Sequence, residues 1–375
     1  MAVQLPMRLR FLTSTPLEVS RGSGTFVGIS TLATALRAQG AKVEFVTPTI
    51  QLRNYTAQRL LFNQQLRIRR LPPADVTIGF DMDGYTLSRR PHDLHIASIK
   101  GVIADEMRFE CGATHATMRI QASCERIHAQ TADAVITTSQ YSAQRIKDLY
   151  GLQTTPEIIP ELIDLEAWTK LLQSQGPSAT QPVVPHFSPN LREVGITSAP
   201  TFTVLTVCRF YPRKRLDVLL RAAAKLRSRI PELKLRIVGG GPEASRLKKL
   251  CQDEQLQSTV TWRENISQSD LAHEYVHCDA FCLPSVQEGF GIVFLEAMAA
   301  AKPIIAARAA AAPEVVPHAV LVDPDSDEAL AAGIEELYRD ARLRQSIATA
   351  GLVHVNQFDA PKVAARFLTR IESFK

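Results

Sequence analysis

Two carboxylates, Glu288 and Glu296, stand eight positions apart in the stretch Pro-Ser-Val-Gln-Glu-Gly-Phe-Gly-Ile-Val-Phe-Leu-Glu-Ala-Met-Ala, residues Pro284 to Ala299. The apolar run Ala280–Leu283 leads into this stretch, and the almost wholly apolar residues from about Ile292 to Ala301 read as a helix. A helix that is apolar all round is a buried one. An ionised Glu on it is costly unless something pairs with it or hydrogen-bonds it. Glu296 therefore calls for a partner rich in donors, such as a sugar diol. Ahead of the helix, Glu288-Gly289-Phe290-Gly291 lets bare backbone approach a ligand, and the helix start aims N–H donors and positive dipole at it. The plain alternative is a solvated Glu296 and glycines that merely make a turn.

The elements that must position these groups follow an alternating pattern, which argues for parallel sheets. In the first half, strands are expected at Leu9–Ser14, Val43–Thr47, Val76–Gly79, Ile96–Ser98 and Val135–Thr138, with helices at Val27–Gln39, His115–Gln130 and Ser142–Tyr150. The second half repeats this with strands at Phe202–Cys208, Leu235–Val238, Val260–Trp262 and Ile304–Ala307, and helices at Leu216–Arg227, near Glu243–Asp253 and at Ser267–His277. Between the halves, 173–200 is rich in Ser, Pro and Gln without a period and reads as a linker. The expected division is 1–172, a linker at 173–200, a second domain over 201–358 and a terminal helix in 359–375. Two doubly wound α/β domains result, and ligands bind outside the carboxyl ends of such strands.

Length and composition fit this division. A chain of 375 residues suits two ordinary domains. Its 45% hydrophobic and 22% charged residues describe a globular protein. A net charge of +5 is mild, so it permits contact with phosphates or anionic lipid without indicating nucleic acid. Six scattered cysteines match no metal or disulfide framework and read as reduced thiols of the cytoplasm. No apolar run approaches the roughly 20 residues that span a bilayer, and the start lacks a secretory signal.

The Glu288–Glu296 stretch resembles the donor-site motif of retaining glycosyltransferases of family 4, in which two Glu are separated by seven residues and Gly-Phe-Gly follows the first. The resemblance implies the GT-B architecture, two Rossmann-like domains facing a cleft, with the terminal helix crossing back to the first. It implies that Glu296 holds ribose hydroxyls and Glu288 orients the donor sugar. Around Val207-Cys208-Arg209-Phe210-Tyr211-Pro212-Arg213-Lys214, the family's Arg at the strand end and Lys five residues on match Arg209 and Lys214, implied to bind the donor diphosphate. Fixed cations there stabilise charge that grows as the glycosidic bond breaks. The family's glycines beside them are Cys208 and Arg215 here.

Further segments carry the resemblance. Val238-Gly239-Gly240-Gly241-Pro242 resembles the family's glycine turn, and Trp262 and Arg263 lie where the backbone reads the nucleobase, although the usual glycine after them is Glu264-Asn265. Ala310-Ala311-Ala312-Pro313-Glu314 stands for Gly-Gly-x-Pro-Glu. Gly22 and Gly24 stand in a loop placed near the donor phosphates, and Ala132–Ser139 resembles the family's strand ending in Ser. Ile159-Pro160-Glu161-Leu162-Ile163-Asp164 resembles Ile-Pro-Asn-Gly-Val-Asp. On the acceptor side no His stands at the expected place, leaving Lys100, Asp105 and Glu106 as candidates.

Two motifs point elsewhere. His273-Glu274-Tyr275-Val276-His277 fits a zinc-protease helix but lacks a convincing third ligand. Phe80-Asp81-Met82-Asp83-Gly84-Tyr85 resembles the haloacid dehalogenase phosphatases, with Asp81 as nucleophile beside Mg²⁺. Arg67–Arg70 reads as a solvated strand edge. The resulting expectation is transfer of a hexose from a nucleoside diphosphate sugar to a hydroxyl acceptor, with no cofactor and no metal. A non-catalytic nucleotide-sugar-binding relative and the phosphatase are the alternatives. The expected location is cytoplasmic, with weak peripheral contact at the inner membrane face left open.

Overall fold

The computed structural model describes residues 6–15, 24–52, 54–87, 93–176 and 201–374. Gly22 and most of the expected linker lie outside them. Of Gly24, it is the first residue of a helix that can be stated.

The first half runs β1 (Arg8–Leu12), α1 (Gly24–Ala38), β2 (Lys42–Val46), α2 (Tyr55–Ile68), β3 (Val76–Phe80), β4 (Leu94–Ile99), α3 (Ile103–Glu106), α4 (Gly112–Thr131), β5 (Ala134–Thr137), α5 (Gln140–Tyr150), β6 (Glu157–Ile158) and α6 (Leu165–Gln173). The second runs β7 (Phe202–Val207), α7 (Leu216–Leu226), β8 (Leu233–Val238), α8 (Ala244–Asp253), β9 (Val260–Arg263), α9 (Gln268–Val276), β10 (Ala280–Leu283), α10 (Ile292–Ala299), β11 (Ile304–Ala307), α11 (Ala312–Val315) and β12 (Val320–Val322). It ends with α12 (Asp327–Arg339), α13 (Ala341–Val355) and α14 (Ala360–Ser373). Strands β3, β10 and β11 are buried at every position, because helices cover both faces of a parallel sheet. Helix ends follow local chemistry. Ser139 caps α5 by accepting from Ser142 N, and Gly151 closes it in the left-handed region at φ 68°.

Each sheet has six parallel strands, in the orders β2-β1-β3-β4-β5-β6 and β12-β11-β10-β7-β8-β9. Each reverses direction once. In the first sheet the chain builds outward on opposite sides of β1, so its switch point lies between β1 and β3. In the second it lies between β7 and β10. Crevices at the carboxyl ends of such strand pairs are where ligands bind in open α/β sheets.

The chain divides into one compact unit of Met1–Asp164, Glu288–Ile292 and Gln357–Lys375, and another of Leu165–Gln287 and Val293–Asn356. The first unit's core joins Phe11, Ile78 and Ile96 to Val363, Phe367 and Ile371 of α14. Its C-terminal segment is also fixed by backbone bonds from Ile163 N to Phe358 O and from Ala360 N to Ile163 O. The second core gathers Val204, Leu219, Ile237 and Cys282 with Ile334 and Leu337.

Three expectations need correction. The first domain stops at Asp164, not 172, because α6 packs on α9, with Trp168 donating to the Glu296 carbonyl at 3.2 Å. Arg67 ends a helix rather than edging a strand, since α2 buries Phe62 and Leu66. The apolar helix ends at Ala299, after which Ala301 turns left-handed at φ 52°.

Three positions where this chain departs from the family's glycines have left-handed backbone. Arg215, Asn265 and Ala310 stand at φ 53°, 53° and 50°. A side chain there costs roughly 1–2 kcal/mol, which glycine avoids at the expense of unfolded-state entropy. Ala310→Gly is expected to stabilise the protein by about 1 kcal/mol, read as a higher urea midpoint at unchanged slope. An unchanged or lower midpoint would show that this turn carries no strain.

Candidate functional site

In the second unit the carboxyl ends of three neighbouring strands are laced together. Cys208 N donates to Val238 O at 3.1 Å, Gly239 N to Arg263 O at 2.8 Å and Phe210 N to Gly240 O at 3.0 Å. Gly239 sits at φ 132°, and a Cβ there would collide with the Cys208 carbonyl oxygen. Gly241 would meet Phe210 N at 2.7 Å. These glycines therefore allow two loops to touch, and the contact holds the segment carrying Arg209. The Arg209 side chain is exposed. Lys214 closes a 3₁₀ turn over Pro212–Lys214 and is half-buried.

That basic loop is joined to the segment leading to the first carboxylate. The Arg213 carbonyl accepts from Val286 N at 2.9 Å and from the Ser285 hydroxyl at 3.2 Å. Val286 stands two residues before Glu288. The basic loop follows β7 and the acidic segment follows β10, so both rise from the switch point of the second sheet.

Glu296 lies on α10 among buried Phe294, Leu295, Ala297 and Met298. The residue is half-buried, and its Oε2 accepts from the hydroxyl of the fully buried Tyr275 at 2.9 Å. Burial pushes its carboxyl up from 4.5 to about 7, against the Tyr275 hydrogen bond, which lowers it. Tyr275 is fixed by stacking on Phe281 and by an edge contact from Trp168, both at 5.7 Å. Neither Tyr275 nor Trp168 was singled out as part of the site from sequence. Tyr275 was visible only inside the zinc-protease pattern.

The segment Glu288–Ile292 belongs to the first unit. Glu288 is buried. The Gly289 carbonyl accepts from three hydroxyls, Thr138 at 3.1 Å, Ser139 at 2.7 Å and Ser142 at 3.1 Å. A Cβ on Gly289 would come within 2.6 Å of the Lys100 carbonyl oxygen, so only glycine fits. Phe290 packs edge-on against Phe358 at 5.4 Å, and Gly291 is left-handed at φ 89°. Hydroxyls of the turn after β5 and of α5 thus hold the backbone of the motif.

Several candidate residues are committed elsewhere. Trp262 packs edge-on against Phe210 at 5.7 Å. Arg263 pairs with buried Glu274 at 2.8 Å, as does Arg236 at 2.8 Å. Glu274 is therefore no protease base, and among the described residues no group of three or more His, Cys, Asp or Glu could hold a metal there. Asp105 is fully buried, paired with Arg108 at 2.9 Å and Arg145 at 2.8 Å, and accepts from Tyr141 at 2.5 Å. Its carboxylate ties α3 to α5. Glu106 lies by Gly101, and Lys100 pairs with Glu161 at 3.1 Å.

The phosphatase alternative also fails in the structure. Asp83 is fully buried, accepting from Ser14 N at 2.6 Å, the Ser14 hydroxyl at 2.7 Å and Asn63 Nδ2 at 3.0 Å. Asp81 Oδ1 accepts from Lys100 N at 2.9 Å, with Arg59 3.7 Å from Oδ2. Both carboxylates brace loop backbone, which explains why they follow a strand.

Residues 189–352 match the family model described as glycosyl transferases group 1. A GDP-mannose-dependent alpha-(1-6)-phosphatidylinositol monomannoside mannosyltransferase of Mycolicibacterium smegmatis is 29% identical over 231 residues, 59% of this chain and 56% of the relative. A D-inositol 3-phosphate glycosyltransferase of Pseudarthrobacter chlorophenolicus is 27% identical, over 73% of this chain and 62% of the relative. The chain thus spans little more than half the length of the first of these relatives. Sucrose-phosphate synthase from Thermosynechococcus elongatus superposes with a TM-score of 0.77 over 98% of both chains at 19% identity, which establishes the fold. Residues 189–352 are thus similar to glycosyl transferases group 1, and the architecture is the two-domain GT-B fold. Among the described residues no helix is long and apolar enough to cross a membrane.

The raised Glu296 carboxyl has a defined consequence for stability. The folded protein holds this proton more tightly than the unfolded chain, so the stabilisation is present below about 4.5 and is lost as pH rises to about 7. Glu296→Gln, neutral throughout, should lack this loss. Urea midpoints at pH 4.5 and 7.5 are expected to show the wild type weakening relative to the variant as pH rises. A pH-independent difference would contradict the burial argument.

Proposed function

We propose that this chain is a retaining glycosyltransferase of family 4 that moves a hexose from a nucleoside diphosphate sugar to a hydroxyl acceptor. The observation that carries the reading is the Val286–Arg213 hydrogen bond at the second sheet's switch point. It ties the loop of Arg209 and Lys214 to the segment that continues into Glu288. In this reading Glu296 accepts from the ribose hydroxyls and Glu288 from hydroxyls of the donor sugar. The acceptor oxygen bonds to the anomeric carbon as the carbon–oxygen bond to the diphosphate breaks on the same face. The leaving phosphate oxygen takes the acceptor's proton. Arg209 and Lys214 neutralise the diphosphate as it gains charge, a role that elsewhere falls to a divalent cation, so no metal is required.

The names of the relatives support GDP-mannose as the first donor to test and inositol-bearing acceptors as the first partners. A cytoplasmic location with peripheral membrane contact belongs to the same reading. It is supported by exposed Ile50, Leu52 and Ile68 near Arg67, Arg69 and Arg70 on the first unit.

A ligand that binds only the folded state raises the melting temperature. GDP-mannose or UDP-glucose is expected to do so, and turnover should survive EDTA. Arg209→Ala and Lys214→Ala should each lower kcat by about 100- to 1,000-fold. Glu288→Ala should keep nucleotide binding while losing turnover. Absence of a shift with every nucleoside diphosphate sugar, or turnover abolished by EDTA and restored by Mg²⁺, would reject the reading. Binding with no turnover in the wild type on any acceptor or water would favour the non-catalytic relative.

A further inference from the structure

The Lys100–Glu161 pair has no part in the donor-site roles assigned above, although Lys100 is a candidate on the acceptor side. Lys100 follows β4 and Glu161 follows β6, so both stand at the carboxyl edge of the first sheet. Their side chains are 7% and 5% exposed, with Lys100 Nζ 3.1 Å from Glu161 Oε1. Asp81 fixes the lysine's backbone by accepting from Lys100 N at 2.9 Å. The other carboxylate oxygen, Glu161 Oε2, is buried and has no hydrogen-bond partner among the described residues. Buried polar atoms are nearly always satisfied, so this oxygen calls for a donor.

Its surroundings place it beside the motif segment. A Cβ on Gly28 of α1 would lie 2.6 Å from Glu161 Oε2 and 3.3 Å from Ile292 Cδ1. Gly28 thus brings the unfilled oxygen beside the end of the Glu288–Ile292 segment. On the other side of the pair, the Lys100 carbonyl lies against Gly289. The charged pair therefore flanks the motif segment within one unit. A carboxylate oxygen repels phosphate and accepts from O–H, which makes a sugar hydroxyl the matching ligand group. The family's pattern has Asn at this position, so Glu161 is a feature of this chain rather than of its motif.

We propose that Glu161, held by Lys100, accepts a hydrogen bond from a hydroxyl of the donor hexose and helps determine which hexose is taken. The proposal rests on the glycosyltransferase reading. Its contribution is to the sugar alone, not to the nucleoside diphosphate. That split separates it from a purely structural ion pair.

The test is calorimetric titration of UDP, UDP-glucose, GDP and GDP-mannose into the wild type, Glu161→Gln and the double variant Lys100→Gln/Glu161→Gln. The double variant leaves no buried lone lysine charge, and so remains informative if Glu161→Gln fails to fold. Expected is a Kd for the bound nucleotide sugar about 10-fold or more weaker in the variants, the loss of one charge-assisted hydrogen bond. The Kd for the bare diphosphate should stay unchanged. Equal weakening of both ligands, or of neither, would overturn the proposal while leaving the glycosyltransferase reading standing. A wild type that bound none of the four would overturn both.

Discussion

The arrangement depends on a carboxylate kept on an apolar helix. Glu296 sits among Phe294, Leu295, Ala297 and Met298 with, among the described residues, a single side-chain donor, the Tyr275 hydroxyl. A carboxylate has about four lone-pair sites, and one hydroxyl leaves most of them unfilled. The fold accepts that cost and then organises around it. Trp168 from α6 donates to the carbonyl of the same residue, and Tyr275 is clamped between Trp168 and Phe281. A group so placed is poor at stabilising the fold and well suited to a ligand that brings paired hydroxyls.

The charged loops follow from sheet topology. Parallel strands deliver their carboxyl ends to one edge, and the reversal between β7 and β10 leaves room there. Glycines 239 and 241 let the neighbouring turns close on Cys208 and Phe210, which fixes the root of Arg209. Val286 and Ser285 then fasten the basic loop through one carbonyl, that of Arg213. The Gly289 backbone is held in turn by Thr138, Ser139 and Ser142. Backbone and hydroxyl hydrogen bonds carry this precision, with the charged side chains left for chemistry.

Much of this was legible in the sequence, and the parts that were not share a cause. The alternation of strands and helices, the apolar helix with its internal Glu and the Arg209–Lys214 spacing are local signals, and local signals survive in a linear reading. Groups that meet across long separations do not. The three hydroxyls on Gly289 lie about 150 positions away in the chain, and Lys100 meets Glu161 only because β4 and β6 share an edge. The domain boundary slipped because α6 is amphipathic and nothing in its sequence says which core takes Trp168. Asp105 looked available because a loop carboxylate and a buried one are spelled alike. The replaced glycines at Arg215, Asn265 and Ala310 were noticed as departures, but their shared left-handed backbone required φ angles.

The most direct test of the central claim is a crystal structure with an intact nucleoside diphosphate sugar bound. The account predicts both ribose hydroxyls within hydrogen-bond distance of Glu296 and the diphosphate oxygens on Arg209 and Lys214. A nucleotide bound elsewhere, with Glu296 still contacted only by Tyr275, would contradict it.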